Sequence, residues 1–149
     1  MMRGAHVLYK SVSPHWATPV GVYKVLDAEF HFTLDACPIG EIGGLFGKED
    51  ALLKSWAGER VFCNPPYGPC IPEWLRKGRE ADVAVFLLPA RTDTKWWHQQ
   101  ALKADEIRFV EGRLRFGEAK HGAPFPSVIV IFHFADLRGG SQDAPARGE

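Results

Sequence analysis

The feature that most constrains this chain is a short, largely apolar run, Arg60–Cys63, that leads directly into Asn64-Pro65-Pro66-Tyr67. Proline has no backbone N–H to donate, so it cannot continue a β-ladder, and it forces the residue before it into an extended conformation. The pattern therefore predicts a buried strand that stops abruptly, with the carbonyls of Asn64 and Pro65 held beyond the ladder. In an open α/β sheet, ligands bind at this carboxyl edge of the strands.

The chemistry that suits these residues is methylation of an exocyclic amine. The lone pair of such an amine is delocalised into its ring, so the nitrogen is a poor nucleophile. The Asn64 side-chain oxygen and the Pro65 carbonyl could accept both N–H hydrogens and favour a pyramidal nitrogen. Tyr67 offers a flat face for stacking a flipped-out base, a contact worth roughly 1–3 kcal/mol. Taken alone, the same residues also fit a plain proline turn. The predicted catalytic residues are Asn64, Pro65, Pro66 and Tyr67.

The length and charge of the chain limit its organisation and its partners. Its 149 residues suit one domain, which we place at 1–137, and the Gly-, Pro- and charge-rich segment 138–149 predicts a disordered tail. The formal net charge is +0, whereas non-specific binding of nucleic acid usually rests on basic surface. Any surface that binds nucleic acid must therefore be local.

The cysteine usage and the N-terminal composition favour a reducing compartment. Cys37, Cys63 and Cys70 contain no Cys-x-x-Cys pair, and no histidine lies at short ligand spacing from them. We therefore predict neither disulfides nor a metal site. No apolar stretch is long enough to span a bilayer, and the first residues lack the apolar region of a signal peptide. We expect a cytoplasmic protein with no membrane partner.

The order of elements indicates the fold class. Thr18 and Pro19 suit the N-cap and first position of a helix, and Val83–Leu88 is a continuous apolar run typical of a central parallel strand. Trp96 and Trp97 are adjacent, so on a helix at most one of them can point squarely into the core. Further strands are predicted at 32–35, 60–63, 107–110 and 127–134, and further helices at 49–53, 71–78 and 95–104. This alternation is typical of a Rossmann-like α/β fold, and we predict a mostly parallel sheet closed by an antiparallel strand.

Several segments, in order, resemble the phage-type DNA N-6-adenine methyltransferases (Dam-type). They cover most of residues 15–134 and comprise Trp16–Pro19, Phe32–Cys37, Phe62–Gly68, Leu87–Thr92, Gly112–Phe116 and Pro124–Ser127. The resemblance implies a compact Rossmann-like class I methyltransferase fold, with S-adenosyl-L-methionine as methyl donor and N6 of adenine in DNA as acceptor. Transfer would be direct, with no metal and no covalent enzyme intermediate. The resemblance also implies a phage or prophage product in a bacterial host.

The resemblance also suggests residues that bind the donor. Thr18-Pro19, preceded by Trp16, look like the Thr-Pro that approaches the methionine part of the donor, and Asp35-Ala36-Cys37 looks like the start of the first cofactor loop. A carboxylate at a strand end can accept a hydrogen bond from the donor's amino group, although Asp35 fits a turn cap equally well. Asp50 resembles the acid that binds the donor's adenine amine, and it fits equally well a solvated residue at a helix start.

The chain departs from the family pattern in this first loop. The loop reads Asp35-Ala36-Cys37-Pro38-Ile39-Gly40, which is shorter than the pattern and has Pro38 where glycine is expected. Only residues 36–63 separate it from the Asn-Pro-Pro-Tyr segment, whereas two full βα crossovers need roughly 60 residues. We therefore predict a trimmed cofactor half with at most one short strand in this interval.

No room is left for a separate target-recognition domain. The candidates for contacting DNA are the loop 112–123 and the segment 91–97, and the basic residues proposed to make the contact are Arg91, Arg113, Arg115, Lys120 and His121. The last two are better explained as ordinary surface charge. One of the loop arginines would merely anchor the loop if it pairs with Asp105, Glu106 or Glu111.

Three functions fit these observations. The leading hypothesis is a site-specific DNA adenine-N6 methyltransferase. A protein-glutamine N-methyltransferase also uses Asn-Pro-Pro-Tyr, but those enzymes usually carry an intact glycine-rich first loop, which this chain lacks. A non-catalytic nucleic-acid-binding module that has lost donor binding would explain the shortened loop. The oligomeric state and the recognised DNA sequence do not follow from the sequence.

Overall fold

The computed structural model describes residues 17–37, 48–117 and 119–135. Its helices are α1 (Val20–Phe30), α2 (Lys48–Leu53), α3 (Ile71–Lys77) and α4 (Lys95–Gln99). Its strands are β1 (Leu34–Asp35), β2 (Arg60–Cys63), β3 (Val83–Pro89), β4 (Glu106–Phe109) and β5 (Ser127–His133). Short 3₁₀ turns, Gly78–Glu80 and Ala101–Lys103, follow α3 and α4.

The described strands form one sheet in the order β1-β2-β3-β5-β4. Strands β1, β2 and β3 are parallel, and β5 runs antiparallel to both of its neighbours, so β4 points the same way as the first three. The predicted mixed α/β fold with a mostly parallel sheet is confirmed. The predicted closure is wrong, because the antiparallel strand lies inside an open sheet and β4 forms the edge.

The interior position of β5 follows from its composition. Its register with β3 extends from Pro89↔Ser127 to Val83↔His133, and its residues are buried from Ser127 to Phe132. A strand that is apolar on both faces is stabilised where sheet and helices cover it. By contrast, Glu106 and Phe109 at the two ends of β4 are exposed, which suits an edge strand.

Element boundaries agree with the sequence where local pattern is strong and differ where tertiary contacts intervene. β2 has the predicted bounds, and the run at Val83 is buried along its whole length. Helix α1 begins at Val20 with Pro19 as its N-cap and no capping side chain, so the prediction that Thr18 caps this helix is wrong. The predicted helix at 95–104 ends after Gln99 and continues as a 3₁₀ turn.

Both tryptophans of α4 are buried, which corrects the prediction that at most one could be. Trp96 is 8% exposed and Trp97 3% exposed, with ring centroids 5.9 Å apart. Both belong to one cluster of buried residues, together with side chains of β3, β5 and α3. Adjacent residues of a helix point in different directions, so burying both tryptophans requires the core to contact this five-residue helix on more than one side.

The two faces of the sheet carry different cores. One is built on Ala84, Phe86 and Leu88 of β3 and contains four tryptophans, Trp56, Trp74, Trp96 and Trp97. The other is built on Val83, Val85 and Leu87 and contains the phenylalanines Phe30, Phe62, Phe116 and Phe125. Alternate residues of β3 thus pack to opposite sides, as expected of a central strand covered on both faces. No helix in the part of the chain that the structure describes is long and apolar enough to cross a membrane.

Candidate functional site

The carboxyl ends of the parallel strands meet at one edge of the sheet, and this edge positions the candidate site. β1 ends at Asp35, β2 at Cys63 and β3 at Pro89, while the antiparallel β5 begins at the same edge with Ser127. Backbone bonds extend the pairing beyond the strands, from Ala36 N to Phe62 O at 2.9 Å and from Ala90 N to Pro126 O at 2.9 Å. The segments that follow the strands are therefore held beside one another.

Asn64, which directly follows β2, is fully buried with 0% exposure. Its Nδ2 donates to Thr18 Oγ1 at 3.1 Å. This bond holds the Asn64 amide against Thr18, whose hydroxyl makes no capping bond to α1. Pro65 and Pro66 are also buried. The structure thus brings together Thr18 and Asn64, which the sequence had assigned to the donor site and to catalysis.

Tyr67 is half-buried, and both its ring and its hydroxyl are engaged. The hydroxyl donates to Leu87 O at 3.2 Å, just past Phe86, the last residue of β3 that pairs with β2. The ring meets Phe125 at 5.4 Å and Phe116 at 6.2 Å, both edge to face. Burial raises the pKa of the Tyr67 phenol well above its usual value, so the hydroxyl stays a proton donor. The sequence indicated only a stacking role for the flat face of this ring and gave no sign of the hydroxyl contact with Leu87.

Asp35 places a partly desolvated carboxylate at the end of β1. Burial raises its pKa to about 6, and a hydrogen bond from the backbone of Cys37 offsets part of that effect. Its Oδ1 is buried and has no hydrogen-bond partner among the described residues. Buried polar atoms are nearly always paired, so this oxygen suits a ligand that brings an N–H or a positive charge. A carboxylate that caps a turn accepts this kind of backbone hydrogen bond, so the contact with Cys37 also fits the alternative in which Asp35 is a turn cap.

Two predicted donor-binding positions lie outside the part of the structure that can be described. Trp16 precedes residue 17, and the side chain of Asp50 is not described, although its backbone belongs to α2. Pro38 and Gly40 of the shortened loop lie outside it as well. Cys37 is described and is 1% exposed.

An open groove lies beside Tyr67, on the side away from β1. Its volume is about 540 Å³, and its walls include Tyr67, Ile71, Pro89, Arg91, Trp96 and Phe125. In the sequence, the segment at 124–127 is marked only by the family resemblance, and the segment at 87–92 also by Arg91, a candidate contact to DNA. Their convergence on one groove was not foreseen, because it depends on β5 pairing beside β3.

The arginines assigned to DNA differ in their surroundings. Arg113 donates from Nη1 to Ala123 O at 3.2 Å, so it anchors its loop through a backbone carbonyl and not through an acid. The Arg91 guanidinium lies over the Phe125 ring, 5.8 Å from its centroid. Arg115 is exposed, as are Lys120 and His121. Within the described ranges, Arg91 and Arg115 have no carboxylate partner.

The loop that carries Arg113 and Arg115 is tied to the N-terminal side of the site. Ala123 N donates to Leu114 O at 2.8 Å and Gly117 N to Ala17 O at 2.9 Å. Phe116 is buried between these bonds, with 0% exposure. The loop is thus attached to the residue that precedes Thr18, while its basic side chains reach solvent.

Within residues 17–37, 48–117 and 119–135 there is no group of three or more His, Cys, Asp or Glu side chains placed to hold a metal ion. Cys37, Cys63 and Cys70 are free thiols. Burial raises the pKa of the Cys63 thiol well above its usual value. Burial also raises the pKa of the Cys70 thiol, so neither of these two thiols has the lowered pKa of a nucleophile.

An open α/β sheet with a buried Asn-Pro-Pro-Tyr segment at its carboxyl edge defines an α/β protein with a ligand site at that edge. The particular family follows from comparison with known proteins. The chain belongs to the DNA N-6-adenine-methyltransferase (Dam) family, whose match covers residues 6–135. It is 27% identical over 139 residues to the DNA N-6-adenine-methyltransferase of Haemophilus phage HP1 (strain HP1c1), covering 83% of this chain and 80% of that protein. No solved structure gives a significant match. The family predicted from the motifs is confirmed.

Proposed function

We propose that this protein transfers a methyl group from S-adenosyl-L-methionine to N6 of adenine at specific sites in DNA. The observation that carries the proposal is the place of Asn64. It is fully buried, its amide is bonded to Thr18, and it directly follows β2, the strand that lies between β1, which ends at Asp35, and β3, whose last residue Pro89 lines the groove. Membership of the DNA N-6-adenine-methyltransferase family supports the reaction type.

The residues on the β1 side fit the donor. S-adenosyl-L-methionine supplies an electrophilic methyl group on a sulfonium and also carries a cationic amino group. The buried Asp35 Oδ1 offers that amino group an acceptor that no described residue satisfies. Thr18 and Pro19 would border the methionine part, since Thr18 is bonded to Asn64. In this proposal Trp16, Cys37 and Asp50 complete the donor site.

On the other side of Asn64, the groove suits the acceptor base. Asn64 Oδ1 and the Pro65 carbonyl accept the hydrogens of the adenine amine and direct its lone pair, while Pro66 keeps the segment rigid. Tyr67 stacks on the base. Extracting the base from the duplex costs a few kcal/mol. Holding acceptor and donor in line supplies most of the rate acceleration, because it replaces a bimolecular encounter with a positioned one.

In this proposal Arg91 and Arg115 contact the DNA directly, and Arg113 contributes by holding the loop that carries Arg115. The formal net charge of the chain is +0, so binding depends on a few placed cations. Arg91 borders the groove, and Arg115 extends from the loop whose base Arg113 anchors.

The deciding experiment is incorporation of label from tritiated S-adenosyl-L-methionine into duplex DNA, followed by digestion to nucleosides. We expect N6-methyladenine as the labelled nucleoside and none with Asn64→Ala. Label in N4-methylcytosine, or transfer only to a glutamine-bearing protein, would contradict the proposal. Donor binding is measured in parallel by calorimetry, and its absence would favour a nucleic-acid-binding module without catalysis.

A further inference from the structure

The turn that follows β3 is exposed, yet its backbone is tightly held. Arg91 N donates to Pro89 O at 2.8 Å, and Arg91 O accepts from both Thr94 N at 3.2 Å and Thr94 Oγ1 at 2.7 Å. Thr94 Oγ1 also accepts from Trp97 N and so caps α4. The Arg91 backbone is therefore fixed relative to β3 and α4 without any contribution from its own side chain.

The Arg91 side chain is oriented by an aromatic ring. Its guanidinium lies 5.8 Å from the centroid of Phe125, which is 7% exposed and is held in turn by an edge contact with Tyr67 at 5.4 Å and a tilted contact with Phe116 at 5.9 Å. An arginine placed over a ring in a cation–π contact can still direct its N–H donors to a planar or tetrahedral anion. Asp93 is exposed nearby in the chain, but the described residues contain no ion pair between the two.

The groove beside Arg91 is apolar and stiff. Four of its lining residues are prolines, Pro69, Pro72, Pro89 and Pro124, and its aromatic walls are Tyr67, Trp96 and Phe125. A volume of about 540 Å³ is of the size that small-molecule sites have. One cation without a carboxylate partner at the rim of an apolar groove is complementary to a ligand with a flat apolar part and one anionic group.

We infer that this groove binds one whole nucleotide, with the base against Tyr67 and a phosphate of the same nucleotide on Arg91. This inference rests on the proposed function, since a base extracted from a duplex brings its own phosphates with it. In this inference Arg91 fixes the position of the flipped nucleotide by binding its phosphate. It is not a general contact to phosphates elsewhere along the DNA.

The inference is tested with free ligands, which contain no duplex. The full-length protein is first saturated with S-adenosyl-L-homocysteine, so that the donor site cannot take an adenosine, and is then titrated by NMR with 2′-deoxyadenosine 5′-monophosphate or with deoxyadenosine. We expect the monophosphate to bind about tenfold or more tightly than the nucleoside, the scale of a charged hydrogen bond. Arg91→Met, which keeps the length of the stem, should abolish that preference and leave nucleoside binding unchanged.

A second variant separates binding by the planar guanidinium from binding by positive charge alone, and a third serves as a control. Arg91→Lys keeps the charge but loses the stacked planar fork, so its preference for the monophosphate should be intermediate. Arg76→Ala removes an exposed arginine from the last turn of α3 and should behave like the wild type.

The inference would be overturned by equal binding of monophosphate and nucleoside, by a preference that survives Arg91→Met, or by no binding of the monophosphate at its highest soluble concentration. Inorganic phosphate binding as tightly as the monophosphate would also overturn it, since the anion site would then be independent of the groove. Methylation of duplex DNA by the wild type is measured alongside. If methylation occurs and the preference is absent, only this inference fails.

Discussion

The Asn64–Tyr67 segment and the loop from Gly112 to Ala123 border the same edge of the sheet, but they are held in different ways. Asn64 and Tyr67 bond to partners 46 and 20 residues away, and Asn64 is fully buried. The loop closes mainly on itself, through Arg113 and Ala123, and exposes its basic side chains. The reaction requires fixed distances, whereas capture of a charged polymer requires cations in solvent. In the proposed function the first region carries the chemistry and the second captures DNA.

The largest effect should follow from removing the central acceptor. Asn64→Ala deletes one of the two acceptors for the amine, and loss of one preorganised catalytic hydrogen bond typically costs ~10²–10³ in rate. Since Asn64 is buried and bonded to Thr18, some loss of stability will accompany it. Single-turnover methyl transfer, corrected for the folded fraction by circular dichroism, measures the rate. Activity within about threefold of wild type would remove Asn64 from the chemistry, on the same scale.

Thr18→Val is the matched variant for this test. It keeps the size of the side chain but removes the hydroxyl that orients the Asn64 amide. We expect a smaller loss of rate than with Asn64→Ala, because the acceptor is still present. An equal loss would indicate that Thr18 acts on the substrates and does not only position Asn64.

Asp35→Ala should weaken donor binding by about 1–3 kcal/mol, the cost of losing a charged hydrogen-bond partner. Calorimetry with S-adenosyl-L-methionine measures this, and Glu73→Ala, a change in an exposed acid in the first turn of α3, serves as the control. Unchanged donor affinity would assign Asp35 to its turn contact with Cys37.

The raised pKa of Asp35 gives two opposite dependences on pH. In the ligand-free protein, burial favours the protonated carboxyl, so its contribution to stability is fully present below the usual value of 3.8 and is lost as the pH rises through about 6. Donor binding needs the carboxylate, so affinity should fall about tenfold for each pH unit below the folded pKa. Asp35→Asn should show neither dependence. A donor affinity that is flat across this range would contradict the assigned contact.

Tyr67→Ala and Tyr67→Phe separate the two contacts of this side chain. The Ala variant should raise KM for DNA by the value of one stacked base, about 1–3 kcal/mol. The Phe variant keeps the ring but leaves the Leu87 carbonyl without the hydroxyl, so it should lose about 1 kcal/mol of stability and little activity. If both variants raise KM equally, stacking is the wrong explanation.

The smallest effects belong to the exposed loop. Arg115→Ala should flatten the salt dependence of DNA binding by about one unit of slope if it removes one phosphate contact. Arg113→Ala should instead loosen the loop, because its guanidinium holds the Ala123 carbonyl. DNA affinity measured across a salt series distinguishes the two. If both variants keep the wild-type slope, the loop is not the element that captures DNA.

By itself the sequence determined the features that depend on near neighbours. Prolines after Cys63 end a strand whatever its surroundings, so Asn64 had to lie past its carboxyl end, and the apolar run at Val83 had to be a buried central strand. The ordered motifs were sufficient to predict the family, which the match over residues 6–135 confirms.

Only the tertiary structure decided which of these features meet. The Thr18 hydroxyl pairs with Asn64 and does not cap its own helix, Trp96 and Trp97 are both buried, and β5 lies inside the sheet. The groove between Tyr67, Arg91 and Phe125 depends on that position of β5. Each of these results joins residues distant in the chain, and local periodicity carries no information about such partners, because they are selected by packing and by the need to satisfy buried polar groups.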